Sequence, residues 1–128
     1  MKRIILGITV ILVAVLAVSC THSSPKNVAK AYIKALKSQD AKKLADCYYY
    51  EGSDEQKDQQ KQLMITLADK VFKGIEAKQG IDSFKIDSVE EKGDDKAIVH
   101  ATITYGNGET ETDNIETIKK DGKWYVDE

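Results

Sequence analysis

The sequence predicts an α+β fold, in which N-terminal helices pack on a curved four-stranded antiparallel sheet. Three observations carry that expectation. Between residues 24 and 80, apolar residues recur at helical spacing behind three capping residues, Ser24, Asp40 and Ser53. After Gly80 the apolar period switches from helical to alternating. Three turn sequences, Gly93-Asp94-Asp95, Gly106-Asn107-Gly108 and Asp121-Gly122, then cut the alternating region into four short segments. Helices and strands segregated along a chain in this way pack in two layers, helices against one sheet face.

Each element has its own justification. Ser24 followed by Pro25 reads as an N-cap and a first helical residue. Val28, Tyr32, Ala35 and Leu36 then give an apolar stripe, so a helix is expected to about Ser38, with Lys26, Lys30, Lys34 and Lys37 on its other face. Asp40 caps a second, short helix, expected to run through Leu44 and Cys47 into Tyr48-Tyr49-Tyr50 until Glu51-Gly52 breaks it. Ser53 with Gln56 three residues later is a capping box. It opens a long helix for which Gly80 is the natural stop.

The first part of that helix, residues 54–62, has no apolar residue and is expected to be solvated. Its second part sets Leu63, Leu67, Val71 and Ile75 on one line, with Met64, Ala68 and Phe72 beside it. Strands are expected over residues 84–91, 97–105, 110–119 and 123–127. Ala97, Val99, Ala101, Ile103 and Tyr105 share one face of the second strand, and Trp124 and Val126 one side of the fourth. Gly106-Asn107-Gly108 joins two strands and precedes no helix, so it is a hairpin turn, not a phosphate loop.

The start of the chain has a different character. Lys2 and Arg3 precede an apolar run over residues 4–18, and small Ser19 stands before Cys20. This is the layout of a secretory signal peptide. The run is 15 residues long, short of the roughly 20 that a spanning helix needs. Leu16-Ala17-Val18-Ser19-Cys20 resembles the lipobox of bacterial lipoproteins, with Ala17 where a larger aliphatic residue is usual.

That resemblance implies that residues 1–19 are removed and that Cys20 becomes an acylated first residue. Residues 20–23 are then the lipidated cysteine and a short tether, and residues 24–128 the folded domain. The partner so implied is a membrane of the bacterial cell envelope. With no acidic residue just after Cys20, the expected place is the outer membrane, facing the periplasm. Cys47 would then have no cysteine partner, and no intramolecular disulfide is expected.

Charge is unevenly spread. Taking Lys2 and Arg3 from the 19 basic residues leaves 17 against 21 acidic ones, a net of −4. Arg3 is the only arginine, and a domain without arginine is a poor candidate for nucleic acid. Residues 26–43 hold six lysines against Asp40, a net of +5, whereas residues 44–128 are net −9. The basic segment adjoins the expected anchor, which makes Lys26, Lys30, Lys34 and Lys37 candidates for a membrane-facing stripe.

Three stretches, "SPKNVAKAYIKALKSQDAKKLADCYYY", "AIVHATITYGNGETET" and "KKDGKWYVD", together carry a wider resemblance. The pattern resembles the nuclear transport factor 2-like roll, also called cystatin-like, and more narrowly the bacterial lipoproteins grouped as domain of unknown function 4878. What the resemblance implies is a pocket between sheet and helices, in a family without an established activity.

The aromatic residues are the best material for such a pocket. Tyr32, Tyr48, Tyr49, Tyr105 and Trp124 are candidates to line it, with Tyr125 nearby and His100 if its strand face turns inward. His22, His100 and Cys47 are far apart and form no HxH or CxxC grouping, so neither metal nor cofactor is expected. Glu109, Glu111 and Asp113 alternate along a face expected to be solvated, and Cys47 reads as a small buried hydrophobe. No acid–base pair can be mapped, although Asp46 lies near the tyrosine run. The function expected is therefore that of a lipid-anchored, non-catalytic roll binding a partner protein or a small apolar ligand. The alternative is a small pocket enzyme of the ketosteroid isomerase or dehydratase kind.

Overall fold

The computed structural model describes residues 20–128. The leader expected over residues 1–19, and the Cys20 side chain with its expected acylation, lie outside what it describes. After a 3-10 turn at Cys20–His22 come helices α1 (Pro25–Ser38), α2 (Ala41–Asp46) and α3 (Asp54–Ala77). Strands β1 (Ile81–Glu91), β2 (Lys96–Tyr105), β3 (Thr110–Lys120) and β4 (Lys123–Val126) follow. They form one antiparallel sheet in chain order. The α+β architecture is as the sequence predicts.

The caps act as expected. Ser24 Oγ accepts from the Asn27 amide at 3.1 Å, Asp40 from the Lys43 amide at 3.1 Å, and Ser53 and Gln56 complete a capping box. Each satisfies backbone donors that have no partner within the first helical turn. Helix α1 touches all four strands and buries Val28, Ala29, Ile33, Ala35 and Leu36 against them. The facing side of the sheet is the one predicted for β2, with Ala97, Val99, Ala101, Ile103 and Tyr105 all buried.

Three elements depart from expectation. Helix α2 stops at Asp46, so Tyr48-Tyr49-Tyr50 is not helical. The chain there lies along β4: the Val126 amide donates to the Cys47 carbonyl at 2.8 Å, and Tyr48 bridges Val126 in parallel. A free sheet edge outbid another helical turn for these backbone groups, as aromatic residues favour. Strand β1 begins at Ile81, earlier than the alternation suggests, and its register shifts between Ile81 and Ser83 and again between Ile86 and Ser88. Such bulges bend a strand and break up its exposed edge.

The third departure is α3. Its solvated first part is helical, and all of residues 54–60 are exposed. In its second part the core takes Ala68, Phe72 and Ile75. The line Leu63, Leu67, Val71 remains 60%, 52% and 49% exposed. Helix α3 packs chiefly on α2. Its far end is fastened by the β2–β3 hairpin, where the Gly106 amide donates to the Gly80 carbonyl at 2.8 Å and the Asn107 amide to the Lys78 carbonyl at 3.1 Å. Gly106 is needed at this contact, because a Cβ there would strike the Gln79 carbonyl oxygen.

Candidate functional site

The unburied side of α3 and the inner face of the sheet define an open side of the roll. Gln60, Leu67 and Val71 recur at helical spacing, with Leu63 adjoining, and therefore share one side of α3, which Lys78 follows as its C-cap. At one end of that side Gln60 borders a hollow of about 400 Å³ with Tyr48, Ile118 and Glu128. At the other end Lys78 Nζ lies 3.9 Å from Glu111 on β3 and 4.7 Å from the Tyr105 ring centre. The half-exposed Leu63, Leu67 and Val71 lie along α3 between these two ends.

On the sheet, β3 supplies carboxylates. Ile115 and Thr117 are buried on its inner face, so alternation puts Glu111 and Asp113 on that face too. Asp113 pairs in register with buried Ala101. Burial, and then the neighbouring Glu111, raise its carboxyl above the ordinary value. Glu128 is raised for the same reasons, burial first and Asp113 second, although the residue as a whole is exposed.

The tyrosines add hydroxyl donors. Tyr32 and Tyr48 meet edge to face at 6.2 Å, and Tyr32 Oη donates to Glu128 Oε1 at 3.5 Å, a weak contact. Burial raises the Tyr32 hydroxyl, and Tyr48, Glu128 and Asp113 reinforce the shift. Burial also pushes Tyr48 up to about 12. Both hydroxyls therefore remain protonated and can donate. The open side combines apolar side chains, two tyrosine hydroxyls and two carboxyls held above their usual range.

The residues singled out from sequence separate into groups. Tyr48 and Tyr49 border two adjoining hollows, of about 540 and 400 Å³. Tyr49 packs on Tyr125 at 5.3 Å between ring centres. Tyr32 lies behind Tyr48. Tyr105 is enclosed, its hydroxyl donating to Glu111 at 2.6 Å, with burial and then Glu111 pushing its pKa up to about 12. Trp124 is half-buried at the margin of the core.

His100 is on the opposite face of β2 from Tyr105, between Asn114 Oδ1 at 2.7 Å and Glu90 Oε1 at 3.1 Å. Both ring nitrogens face acceptor oxygens, which raises its pKa, Asn114 first and Glu90 second. It does not share the tyrosine hollow. Asp46 is exposed and paired with Lys61 at 2.8 Å, so it is not a buried base. Cys47 is a buried thiol pushed up to about 12 by burial and then by Asp46.

Sequence reasoning puts Asp113 on a solvated face and does not single out Glu128. Counting by twos from Ile115 would have turned Asp113 inward, so the expectation that this acidic face is solvated fails at Asp113. No such signal exists for Glu128, whose place depends on how the end of β4 lies beside Tyr32.

The comparisons with known proteins bear on the fold. The profile of the family described as domain of unknown function 4878 matches residues 18–127. The chain belongs to that family. A crystal structure from Campylobacter jejuni, provisionally named an NTF2-like transpeptidase, superposes with a TM-score of 0.67. It is 24% identical, and the match covers 81% of this chain and 97% of that one. At that identity the likeness concerns the fold alone: this chain has a nuclear transport factor 2-like roll. No curated protein matches the chain.

Proposed function

We propose that this domain of unknown function 4878 protein is a lipid-anchored envelope lipoprotein whose roll binds an apolar ligand or an apolar segment of a partner protein without turning it over. Acylated Cys20 holds it to the membrane, on the outer membrane's periplasmic side. One observation supports the binding role above the others: Leu63, Leu67 and Val71 stay half-exposed in a row along one side of α3. Apolar side chains in a row at an open mouth, with a few hydroxyls and carboxyls behind them, suit a ligand with an apolar body and a polar end.

The test uses the neutral apolar dye N-phenyl-1-naphthylamine and the domain from residue 21 onward. Saturable fluorescence gain is expected with the wild-type domain, and loss of most of it with Leu67→Gln/Val71→Gln at unchanged circular dichroism. Equal binding by the double variant would remove α3 from the site and overturn the reading.

A second reading rests on Asp113, a half-buried carboxyl with a raised pKa and tyrosine hydroxyls in its electrostatic neighbourhood. A pocket isomerase or dehydratase needs such a base within hydrogen-bond reach of its substrate. Isomerisation of a β,γ-unsaturated ketone that Asp113→Asn abolishes would establish that reading instead.

A further inference from the structure

The residues after Cys20 are fastened to the domain, although their number suggests only a short loose tether. Residues Cys20–His22 form a 3-10 turn. The His22 Nδ1–H donates to the Trp124 carbonyl at 2.7 Å, and the ring packs on Tyr125 at 4.6 Å between centres. Asn27 Nδ2 donates to Ser23 Oγ at 2.8 Å, and Ser24 caps α1. The backbone at residue 20 therefore has a fixed position on the domain.

Beside it is a hollow of about 560 Å³. Thr21 and His22 form one wall, Lys34 and Ser38 of α1 another, and Lys43 of α2 a third. Among the described residues, neither Lys34 nor Lys43 takes part in an ion pair. The acid at the border, Asp46, is already paired with Lys61 at 2.8 Å. Two uncompensated ammonium groups and two hydroxyls thus border one concavity, in a chain that is net −2 overall.

We infer that this hollow receives the phosphate of an anionic phospholipid headgroup, with Lys34 and Lys43 as its cationic partners. The inference rests on the anchoring reading above. If Cys20 carries acyl chains, the hollow opens next to the residue that enters the bilayer, where headgroups are the nearest anions. Charge complementarity then selects the anionic ones. The fixed turn at Cys20–His22 makes the contact a matter of geometry and not of a loose basic patch. It also narrows the lysine stripe: Lys26 and Lys37 do not border the hollow and serve as its charge-matched control.

The experiment titrates the full chain, purified in a neutral detergent, with dihexanoyl phosphatidylglycerol, dihexanoyl phosphatidylcholine and inorganic phosphate. Binding is followed through the amide resonances of residues 21–43. Wild type should prefer phosphatidylglycerol to phosphatidylcholine. Lys34→Gln/Lys43→Gln should weaken phosphatidylglycerol binding about ten- to thirty-fold, the loss of two lysine contacts at a headgroup surface. Lys26→Gln/Lys37→Gln should weaken it less than about three-fold, and Lys34→Arg/Lys43→Arg should retain it.

Equal losses in the two glutamine variants would make the effect diffuse charge and overturn the site. Binding of phosphatidylcholine as strong as that of phosphatidylglycerol would also overturn it. Inorganic phosphate binding as tightly as the lipid would make this a free-phosphate site and overturn the headgroup assignment. The intact mass of the same sample reports acylation separately. An unmodified Cys20 with intact headgroup selectivity defeats the anchoring reading alone, whereas an acylated Cys20 without selectivity defeats the hollow alone.

Discussion

Helices α1 and α3 are both amphipathic, yet they end in opposite situations. α1 crosses the whole sheet and buries its apolar stripe, leaving Val28, Ala29 and Ile33 with no exposed surface. α3 has the longer apolar pattern and leaves one of its two lines half in water. The difference follows from what each helix meets. α1 lies flat on four strands, whereas α3 leans on the short α2 and is fastened to the sheet at its far end. The first helix therefore holds the fold together, and the second frames an opening. Burial at α1 is explained by stability alone. Exposure at α3 is not, and that is why the site is placed there.

The largest test of this contrast compares equivalent truncations. Ile33→Ala removes a fully buried side chain from α1 and should cost about 3 kcal/mol, lowering Tm by roughly 15 °C. Leu67→Ala on α3 should change stability by no more than about 0.5 kcal/mol, because exposed positions are tolerant and alanine favours helix. Chemical denaturation of both variants measures the ratio. Similar losses at the two sites would mean that α3 closes onto the sheet in solution, and the opening would vanish.

A smaller effect tests how α3 is held. Gly106→Ala puts a Cβ against the Gln79 carbonyl and should cost about 1–2 kcal/mol. The hairpin tip would draw back from Gly80 and Lys78 and lose two backbone hydrogen bonds. Hydrogen exchange at the Gly106 and Asn107 amides should quicken together with the last turn of α3, while α1 stays protected. Uniform loss of protection across the domain would show that the hairpin supports the whole fold and not α3 in particular.

Much of this molecule is legible in its sequence because local rules govern it. Ser24, Asp40 and Ser53 each cap the helix they announce, and the Gly106 and Asp121 turns each join the strands they separate. The wrong or missing parts depend on partners distant in sequence. Tyr48 leaves helical geometry because β4, far along the chain, offers its backbone a partner. Periodicity shows that α3 is amphipathic but cannot say which of two adjacent apolar lines meets the core. The candidate site suffers most, since Tyr32, Tyr48, Asp113 and Glu128 come from four separate segments. Their types could be read, but their meeting is a property of the roll's curvature.

The smallest expected effect concerns Asp113 under the open side, and its sign is opposite. A carboxyl whose pKa rises on folding holds its proton more readily in the folded state. Its favourable contribution is complete below the unfolded value, about 4, and is lost as pH climbs through the raised folded value. Above that raised value Asp113 ionises beside Glu111 and Glu128 while partly covered, and then works against folding. Asp113→Asn should therefore raise Tm at pH 7 by about 2–4 °C. The gain should shrink as pH falls through the raised folded value, where the wild-type carboxyl takes up its proton. Glu128→Gln should shift Tm in the same direction, and the double variant should gain less than the two single gains together, because Asp113 contributes to the shift at Glu128. Thermal melts across pH 4–8 settle the matter. Were Asp113→Asn to destabilise the domain at pH 7, the carboxylate would be making a favourable contact, and the open side would be a tighter polar site than its framing by α3 implies. Such a result would move the balance toward the enzyme reading, because a general base is kept in place by the contacts that a carboxylate makes when charged.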